Sequence, residues 1–153
     1  MTIPVEIKWM TRADMPDVLD IDSRSHDQSW GEEKFLETLR RRNTIGLVAF
    51  DGNLDVIGFA VYELLKDRID ILRLAVHPLY RREGVGTEMV TKLMSKVFHQ
   101  RREELWCDVP DDFPDASHQF LAACGLRTLL VRGKDGDRDL YRFVYCVCAP
   151  AEA

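Results

Sequence analysis

The stretch that decides the fold covers residues 74–87 and reads LAVHPLYRREGVGT. An apolar segment typical of a strand runs into a glycine-containing loop, and the loop opens a long amphipathic helix. In that helix Val85, Met89, Leu93 and Val97 recur every four residues, which predicts one buried side. A helix start presents unpaired backbone N–H groups and a partial positive charge, so this unit suits a phosphate group.

Two glycines in the loop are compatible with a diphosphate site. Gly84 and Gly86 let the backbone approach a ligand without interference from a Cβ atom. The pattern is not the dinucleotide fingerprint G-x-G-x-x-G, because Met89 stands where that motif needs its third glycine. It is not a P-loop either, since no Gly-Lys-Ser/Thr follows. The residues alone leave two alternatives open, a diphosphate-cofactor site and a plain connection from a strand to a helix.

The residues before this stretch predict two helices and several strands. Asp14 precedes a Met-Pro pair and reads as the N-cap of the first helix, and Ser29-Trp30-Gly31-Glu32 matches the capping box of a second helix. Asp51-Gly52-Asn53 predicts a hairpin turn. The predicted strands are Val5–Met10, Thr44–Phe50, Val56–Leu65 and Ile69–Val76.

The residues after the long helix complete the order of elements. Leu105–Val109 predicts a short strand, and Asp115 could cap a helix that Gly125 closes. Leu126–Arg132 and Leu140–Val147 predict a final pair of strands. The order is therefore βααβββαβαββ, an α/β (α+β) chain with a mixed sheet and helices on its faces.

Length and charge exclude several classes of protein. The chain has 153 residues, which predicts one domain over 1–153. It carries 21 Lys and Arg against 26 Asp and Glu, a net charge of −5, so we expect no direct nucleic-acid binding. No apolar run approaches the roughly 20 residues that span a bilayer, and no secretory signal is evident, so we expect no membrane contact and a cytoplasmic location.

The cysteine pattern gives no sign of a metal or redox site. Cys107, Cys124, Cys146 and Cys148 form no C-x-x-C pair, and no histidine cluster has the spacing of zinc ligands. We expect free thiols packed in the core and no bound metal. The oligomeric state cannot be read from these features.

The central stretch resembles the signature of a known superfamily. Arg81-Arg82-Glu83-Gly84-Val85-Gly86 is similar to the Q/R-x-x-G-x-G/A motif of the GNAT superfamily of N-acetyltransferases, and the order of elements matches over nearly the whole chain. Ser29-Trp30-Gly31-Glu32 and Leu105-Trp106-Cys107-Asp108-Val109 further resemble the ribosomal-protein-alanine N-acetyltransferase branch. The resemblance implies a mostly antiparallel sheet of six to seven strands flanked by about four helices.

The resemblance also implies acetyl-CoA as co-substrate. Its pyrophosphate would rest on backbone N–H groups of residues 82–87, and the backbone of 74–76 would lie by the pantetheine and the thioester. There an N–H group could polarise the acetyl carbonyl. The implied cofactor-binding residues are Leu74, Ala75, Val76, Arg81, Arg82, Glu83, Gly84, Val85, Gly86 and Thr87.

The implied reaction is direct attack of a primary amine, from a protein N-terminus or a small molecule, on the thioester. Asp108 stands where the branch carries a catalytic glutamate, so it is the candidate catalytic carboxylate. Leu121 stands where the branch carries a tyrosine that acts as general acid, and His118, one helical turn earlier, is a candidate substitute.

Three functions therefore remain open at this point. The first is an acetyl-CoA-dependent N-acetyltransferase that acts on a primary amine. The second, motivated by Leu121, is a degenerate member that binds CoA or a partner without efficient catalysis. The third is a different nucleotide-binding or interaction module whose glycine loop only mimics the signature.

Overall fold

The computed structural model describes residues 4–26, 29–110, 115–133 and 139–147. Two 3₁₀ turns, Arg12–Asp14 and Pro78–Tyr80, accompany the main elements. Within the described residues the order βααβββαβαββ is confirmed. In chain order the elements are β1 Glu6–Trp9, α1 Met15–Ser25, α2 Gly31–Leu39, β2 Thr44–Phe50, β3 Val56–Leu64, β4 Arg68–Val76, α3 Val85–His99, β5 Glu104–Pro110, α4 Asp115–Ala123, β6 Arg127–Val131 and β7 Leu140–Cys146.

The strands form one mixed sheet in the order β1-β2-β3-β4-β5-β7-β6. Strand pairs β1–β2, β2–β3, β5–β7 and β6–β7 are antiparallel, whereas β4 and β5 run parallel. The parallel register joins Arg68–Ile71 to Glu104–Cys107. The prediction of a mixed, mostly antiparallel sheet of six to seven strands with about four helices is therefore confirmed.

The chain packs as two compact units, and the first comprises residues 1–64 and 72–90. Alternate residues of β2 and β3 point to one face of the sheet, where they meet the apolar sides of α1 and α2. Phe35 packs edge-on against Trp30 and Phe59, with ring centroids 4.9 and 5.5 Å away. The buried core of this unit is Met15, Val18, Ile21, Phe35, Val48, Phe59, Val61 and Ala75.

The predicted N-cap of α1 and the predicted β2–β3 turn are both found in this unit. Asp14 is the N-cap of α1, as predicted, although its carboxylate accepts hydrogen bonds from the N–H and hydroxyl of Thr11 rather than from the helix. The hairpin turn is also confirmed, and Asp51 Oδ1 accepts the N–H groups of Asn53 and Asp55 at 2.9 and 3.0 Å.

The predicted capping box at the start of α2 is wrong. The helix begins at Gly31 with Trp30 as N-cap, and no side chain caps it. Instead, the Trp30 N–H donates to Asp22 Oδ2 at 2.9 Å, so a carboxylate of α1 fixes the entry of the chain. Gly31 has a φ of +79°, a backbone conformation that residues with a Cβ rarely adopt.

The second unit comprises residues 65–71 and 91–153. On β5, Leu105, Cys107 and Val109 are buried and alternate with more exposed neighbours on the opposite face. Helix α4 ends as predicted before Gly125, whose φ is +98°. None of the helices in the described ranges has the length and apolar character that crossing a membrane requires.

The cysteines match the expectation only in part. Cys107 is buried, and this burial raises the pKa of its thiol to about 12. Cys124 and Cys146 are only half-buried, so the expectation of core packing is wrong for them. Cys124 follows the last residue of α4, and Cys146 is the last residue of β7. Cys148 lies outside the described residues.

Candidate functional site

The glycine loop leads directly into α3. Arg81 is extended, Arg82 and Gly84 have φ of +65° and +88°, and the helix begins at Val85. Its first intrahelical hydrogen bond runs from the Glu88 N–H to the Gly84 carbonyl at 2.9 Å. The N–H groups of residues 85–87 therefore precede that bond, as the first donors of a helix do. The left-handed backbone at Arg82 and Gly84 turns the chain into the start of the helix.

Hydrogen bonds within the first unit hold this loop in place. His77 caps the short Pro78–Tyr80 turn, since its Nδ1 accepts the Leu79 N–H at 3.1 Å. The Tyr80 hydroxyl donates to Asp51 Oδ2 in the β2–β3 turn at 3.2 Å. Sequence reasoning assigned no role to His77, and the structure gives it this one.

The side chain of Arg81 is committed to the same framework. Its Nε donates to the Val76 carbonyl at 3.1 Å, and its Nη2 donates to Ser25 Oγ at 3.0 Å. Arg81 thus ties the end of β4 to α1. These two hydrogen bonds hold the backbone of the loop in place.

A glycine that sequence reasoning missed lets α3 approach the sheet. A Cβ built on Gly58 of β3 would lie 3.2 Å from the Ala75 carbonyl, 3.2 Å from Met89 Sδ and 3.3 Å from Val85 Cγ1. The absence of a side chain there lets the start of α3 and the end of β4 both lie close to β3. The available signal was an isolated glycine inside a strand pattern, which often marks a close backbone approach.

The residues implied for the cofactor lie together in the first unit. Ala75 is buried at the end of β4, and Leu74 and Val76 beside it are half-buried. The backbone continues from Val76 through the loop to Thr87 without a break in ordered structure. The structure thus brings the whole predicted cofactor set onto one strand, its loop and the first turn of its helix.

A buried ion pair joins the same strand to α1. Arg73 donates to both oxygens of Asp22 at 2.7 and 3.0 Å, and their side chains are 12% and 1% exposed. His26 Nε2 lies 3.9 Å from the same carboxylate. Burial and then the charge of Arg73 lower the pKa of His26. This pair anchors β4 one residue before the predicted cofactor set.

Asp108, the candidate catalytic carboxylate, lies in the second unit and is paired. Arg142 of β7 donates to its two oxygens from Nε at 2.8 Å and Nη2 at 3.0 Å. The Asp108 side chain is 39% exposed and that of Arg142 is 25% exposed. The bond with Asp108 raises the pKa of Arg142. Sequence reasoning missed Arg142, since only the β5–β7 register places it opposite Asp108.

The guanidinium of Arg142 also stacks on an indole ring. It lies 4.0 Å from the ring centroid of Trp106, and the guanidinium of Arg68 lies 3.9 Å from the same centroid. The indole N–H donates to Glu104 at 2.6 Å, and Arg68 Nε donates to Asp70 at 2.8 Å. We call Arg68, Trp106 and Arg142 the indole stack.

His118, the candidate proton donor, does not lie beside Asp108. The ring of His118 packs edge-on against Tyr141 at 5.2 Å and is tilted toward Phe143 at 5.8 Å. These two β7 residues flank Arg142, so they face the opposite side of the sheet from it. Leu121 is 3% exposed and is packed inside this unit. His118 and Asp108 are therefore separated by the sheet.

No group of three or more His, Cys, Asp or Glu side chains in the described ranges could hold a metal ion.

Comparisons with known proteins show the family of this chain. The family model described as acetyltransferase (GNAT) family matches residues 15–126. The "[Ribosomal protein bS18]-alanine N-acetyltransferase" of Escherichia coli strain K12 is 24% identical over 103 residues, which are 67% of this chain and 68% of that protein.

Solved structures show the same fold. The crystal structure of the ribosomal-protein-S18-alanine N-acetyltransferase from Escherichia coli has a TM-score of 0.79 at 19% identity, with 97% of each chain covered. Ard1 from Thermoplasma volcanium has a TM-score of 0.80 at 20% identity, covering 95% of this chain and 99% of that one. Arabidopsis thaliana NAA60 in complex with acetyl-CoA has a TM-score of 0.78 at 15% identity, covering 95% and 100%. With the match of the family model over most of its length, the chain belongs to the acetyltransferase (GNAT) family.

Proposed function

We propose that this protein is an acetyl-CoA-dependent N-acetyltransferase that acts on a primary amine. The observation that carries the proposal is the loop at the start of α3, where three backbone N–H groups precede the first intrahelical bond. Two sets of relatives support it. One of the structural neighbours is a complex with acetyl-CoA, and the curated relatives acetylate an alanine of a ribosomal protein.

The residues present fit the pyrophosphate of acetyl-CoA. In the proposal, the N–H groups of Val85, Gly86 and Thr87 donate to its oxygens, and the positive end of the α3 dipole adds to the attraction. Arg82 and Gly84 shape the turn through their left-handed backbone. The backbone of 74–76 lines the acyl end, where an N–H group would stabilise the oxyanion that forms during acyl transfer. The bound group supplies the activated acetyl thioester.

The acceptor amine must be neutral when it attacks. At pH 7.5 about a quarter to two-fifths of an α-amino group is neutral, but only about a thousandth of a lysine side chain. Asp108 is the proposed carboxylate that takes the amine proton, directly or through a water molecule. Arg142 occupies two of its roughly four lone-pair positions, and the others stay available because the side chain is partly exposed. Together these points favour a protein N-terminus as acceptor.

The leaving thiolate needs no dedicated donor for the reaction to proceed. A free thiol has a pKa of about 8.5, so CoA can leave as the thiolate near neutral pH. Leu121 has no proton to donate, and His118 lies across the sheet from Asp108. The proposed mechanism therefore uses one side-chain carboxylate and no side-chain acid.

The test is release of the CoA thiol with a matched set of amines. One peptide carries a free N-terminal alanine, a second is N-acetylated and contains a lysine, and a third is N-acetylated without lysine. We expect thiol release with the first peptide, slower release with the second and none above hydrolysis with the third. Release that does not depend on any amine, or no release at all, contradicts the proposal.

A second function is favoured by the burial of Leu121 at the position where the branch carries its acid. A degenerate member would bind CoA without turning it over. Calorimetric binding of acetyl-CoA together with no thiol release from a wider set of peptides and polyamines would identify this case.

A further inference from the structure

The pair between Asp108 and Arg142 has an unusual support for an ion pair at a protein surface. Exposed pairs are usually held loosely, because two long side chains lose entropy when they adopt one geometry. Here the guanidinium makes two hydrogen bonds to the carboxylate and at the same time stacks 4.0 Å from the Trp106 ring centroid. A planar guanidinium can make both kinds of contact at once, whereas a lysine ammonium cannot.

The indole is itself fixed on its edge and on its other face. Its N–H donates to Glu104 at 2.6 Å, and Arg68 covers the other face at 3.9 Å. Arg68 is in turn bonded to Asp70 at 2.8 and 3.4 Å. A chain of directional contacts thus runs from Asp70 through the indole stack to Asp108.

We propose that Arg142, held by the indole stack, is a positioning residue that fixes the Asp108 carboxylate for the acceptor amine. The proposal rests on the proposed acetyl transfer and deepens it. Arg142 takes one lone pair of each carboxylate oxygen and so sets the direction of the remaining ones. A carboxylate fixed in this way meets the attacking amine in a defined geometry. Small displacements from such a geometry lower the reaction rate strongly.

The two arginines of the indole stack provide a matched pair of variants. Arg142 and Arg68 cover opposite faces of the same ring at nearly equal distances, but only Arg142 bonds Asp108. We compare Arg142→Gln with Arg68→Gln, each alone and combined with Asp108→Asn. For each protein the turnover number, the KM of the peptide and the dissociation constant of acetyl-CoA are measured.

We expect Arg142→Gln to lower the turnover number about 10- to 100-fold and to leave the dissociation constant of acetyl-CoA unchanged. Arg68→Gln lowers the turnover number less than about threefold, since it loosens the indole only. In the Asp108→Asn background Arg142→Gln causes no further loss, because Arg142 acts through the carboxylate. Arg142→Lys, which keeps the charge but not the fork, restores part of the rate and serves if the glutamine variant does not fold.

Equal losses in the two glutamine variants overturn the proposal, as does a full loss from Arg142→Gln in the Asp108→Asn background. Both results are read against a wild-type enzyme that transfers acetyl groups. If the wild type binds acetyl-CoA but acetylates none of the peptides, the proposed activity itself has failed. The wild-type assay alone shows this.

Discussion

Two of the Asp–Arg ion pairs in the described part of the chain lie in contrasting settings. Asp22 with Arg73, and Asp108 with Arg142, are both joined by two hydrogen bonds of 2.7 to 3.0 Å. The first pair is almost fully buried, whereas the second is partly exposed at the sheet surface. The two pairs thus share a geometry and differ in burial. In our proposal the buried pair stabilises the fold, and the partly exposed carboxylate of the second pair meets the acceptor amine.

The energetic contrast follows from desolvation. Removing one partner of a buried pair leaves a charge in a medium of low polarity, which typically costs about 3–5 kcal/mol. An exposed pair contributes about 0–1 kcal/mol because water replaces the lost partner. We therefore expect substitutions in the buried pair to lower stability, and substitutions in the exposed pair to lower activity.

The largest effect on stability is expected for Asp22→Asn. The substitution leaves Arg73 charged and buried, and it weakens the acceptor for the Trp30 N–H at the start of α2. We expect a loss of about 3–5 kcal/mol in the free energy of unfolding, measured by urea denaturation. Asp20→Asn is the matched control, since Asp20 lies two residues earlier and pairs with Arg24 at the surface. A similar small loss in both variants would mean that the buried pair does not hold the first unit.

The reverse result is expected for Asp108→Asn. This change keeps the shape of the side chain but removes its basicity, and a general base typically contributes about 10²- to 10⁴-fold in rate. We expect a turnover number at least about 100-fold lower, with an unfolding free energy within about 1 kcal/mol of the wild type. The measurement is thiol release at saturating acetyl-CoA and peptide. A rate within about twofold of the wild type would make Asp108 a structural residue.

A smaller effect concerns how the free energy of unfolding depends on pH through His26, which lies beside the buried pair. The pKa of His26 is lowered from its usual value of about 6.5, so protonation favours the unfolded chain. The stabilisation is present above about pH 6.5 and is lost as the pH falls through the lower pKa of the folded state. We expect the unfolding free energy of the wild type to fall more steeply between about pH 7 and 5 than that of His26→Gln. The exposed His99 provides the control, and a His99→Gln variant should keep the wild-type slope.

The fold could be predicted because its signals are local. Hydrophobic periodicity and turn residues gave most element bounds to within a residue or two, as for Val56–Leu64 against the predicted Val56–Leu65. The capping box failed where a distant residue intervened, since Asp22 accepts the Trp30 N–H from another helix. Tertiary contacts override a local pattern when the partner is buried and charged.

The residues of the candidate site also divide into those that local sequence predicts and those that only the folded structure brings together. The glycine loop is contiguous in sequence, so its residue types and spacing predict it. Arg142 and Arg73 are 34 and 51 positions from their carboxylates, and only strand register and helix packing bring them there. Gly58 gave a weak signal, and its meaning depends on how closely α3 lies on the sheet.

The central claim is that the start of α3 binds the pyrophosphate of acetyl-CoA, and a calorimetric titration tests it most directly. In Gly86→Glu a bulky anion replaces hydrogen at the second position of α3, where it would repel the pyrophosphate. The helix itself should still form, because the helix dipole favours an acidic residue in the first turn. Gly52→Glu is the control, because a Cβ at Gly52 in the β2–β3 turn meets no atom within 4 Å. We expect the wild type and the control to bind acetyl-CoA alike, and a folded Gly86→Glu protein to bind it at least about 100-fold more weakly. Unchanged affinity in folded Gly86→Glu would contradict the assignment.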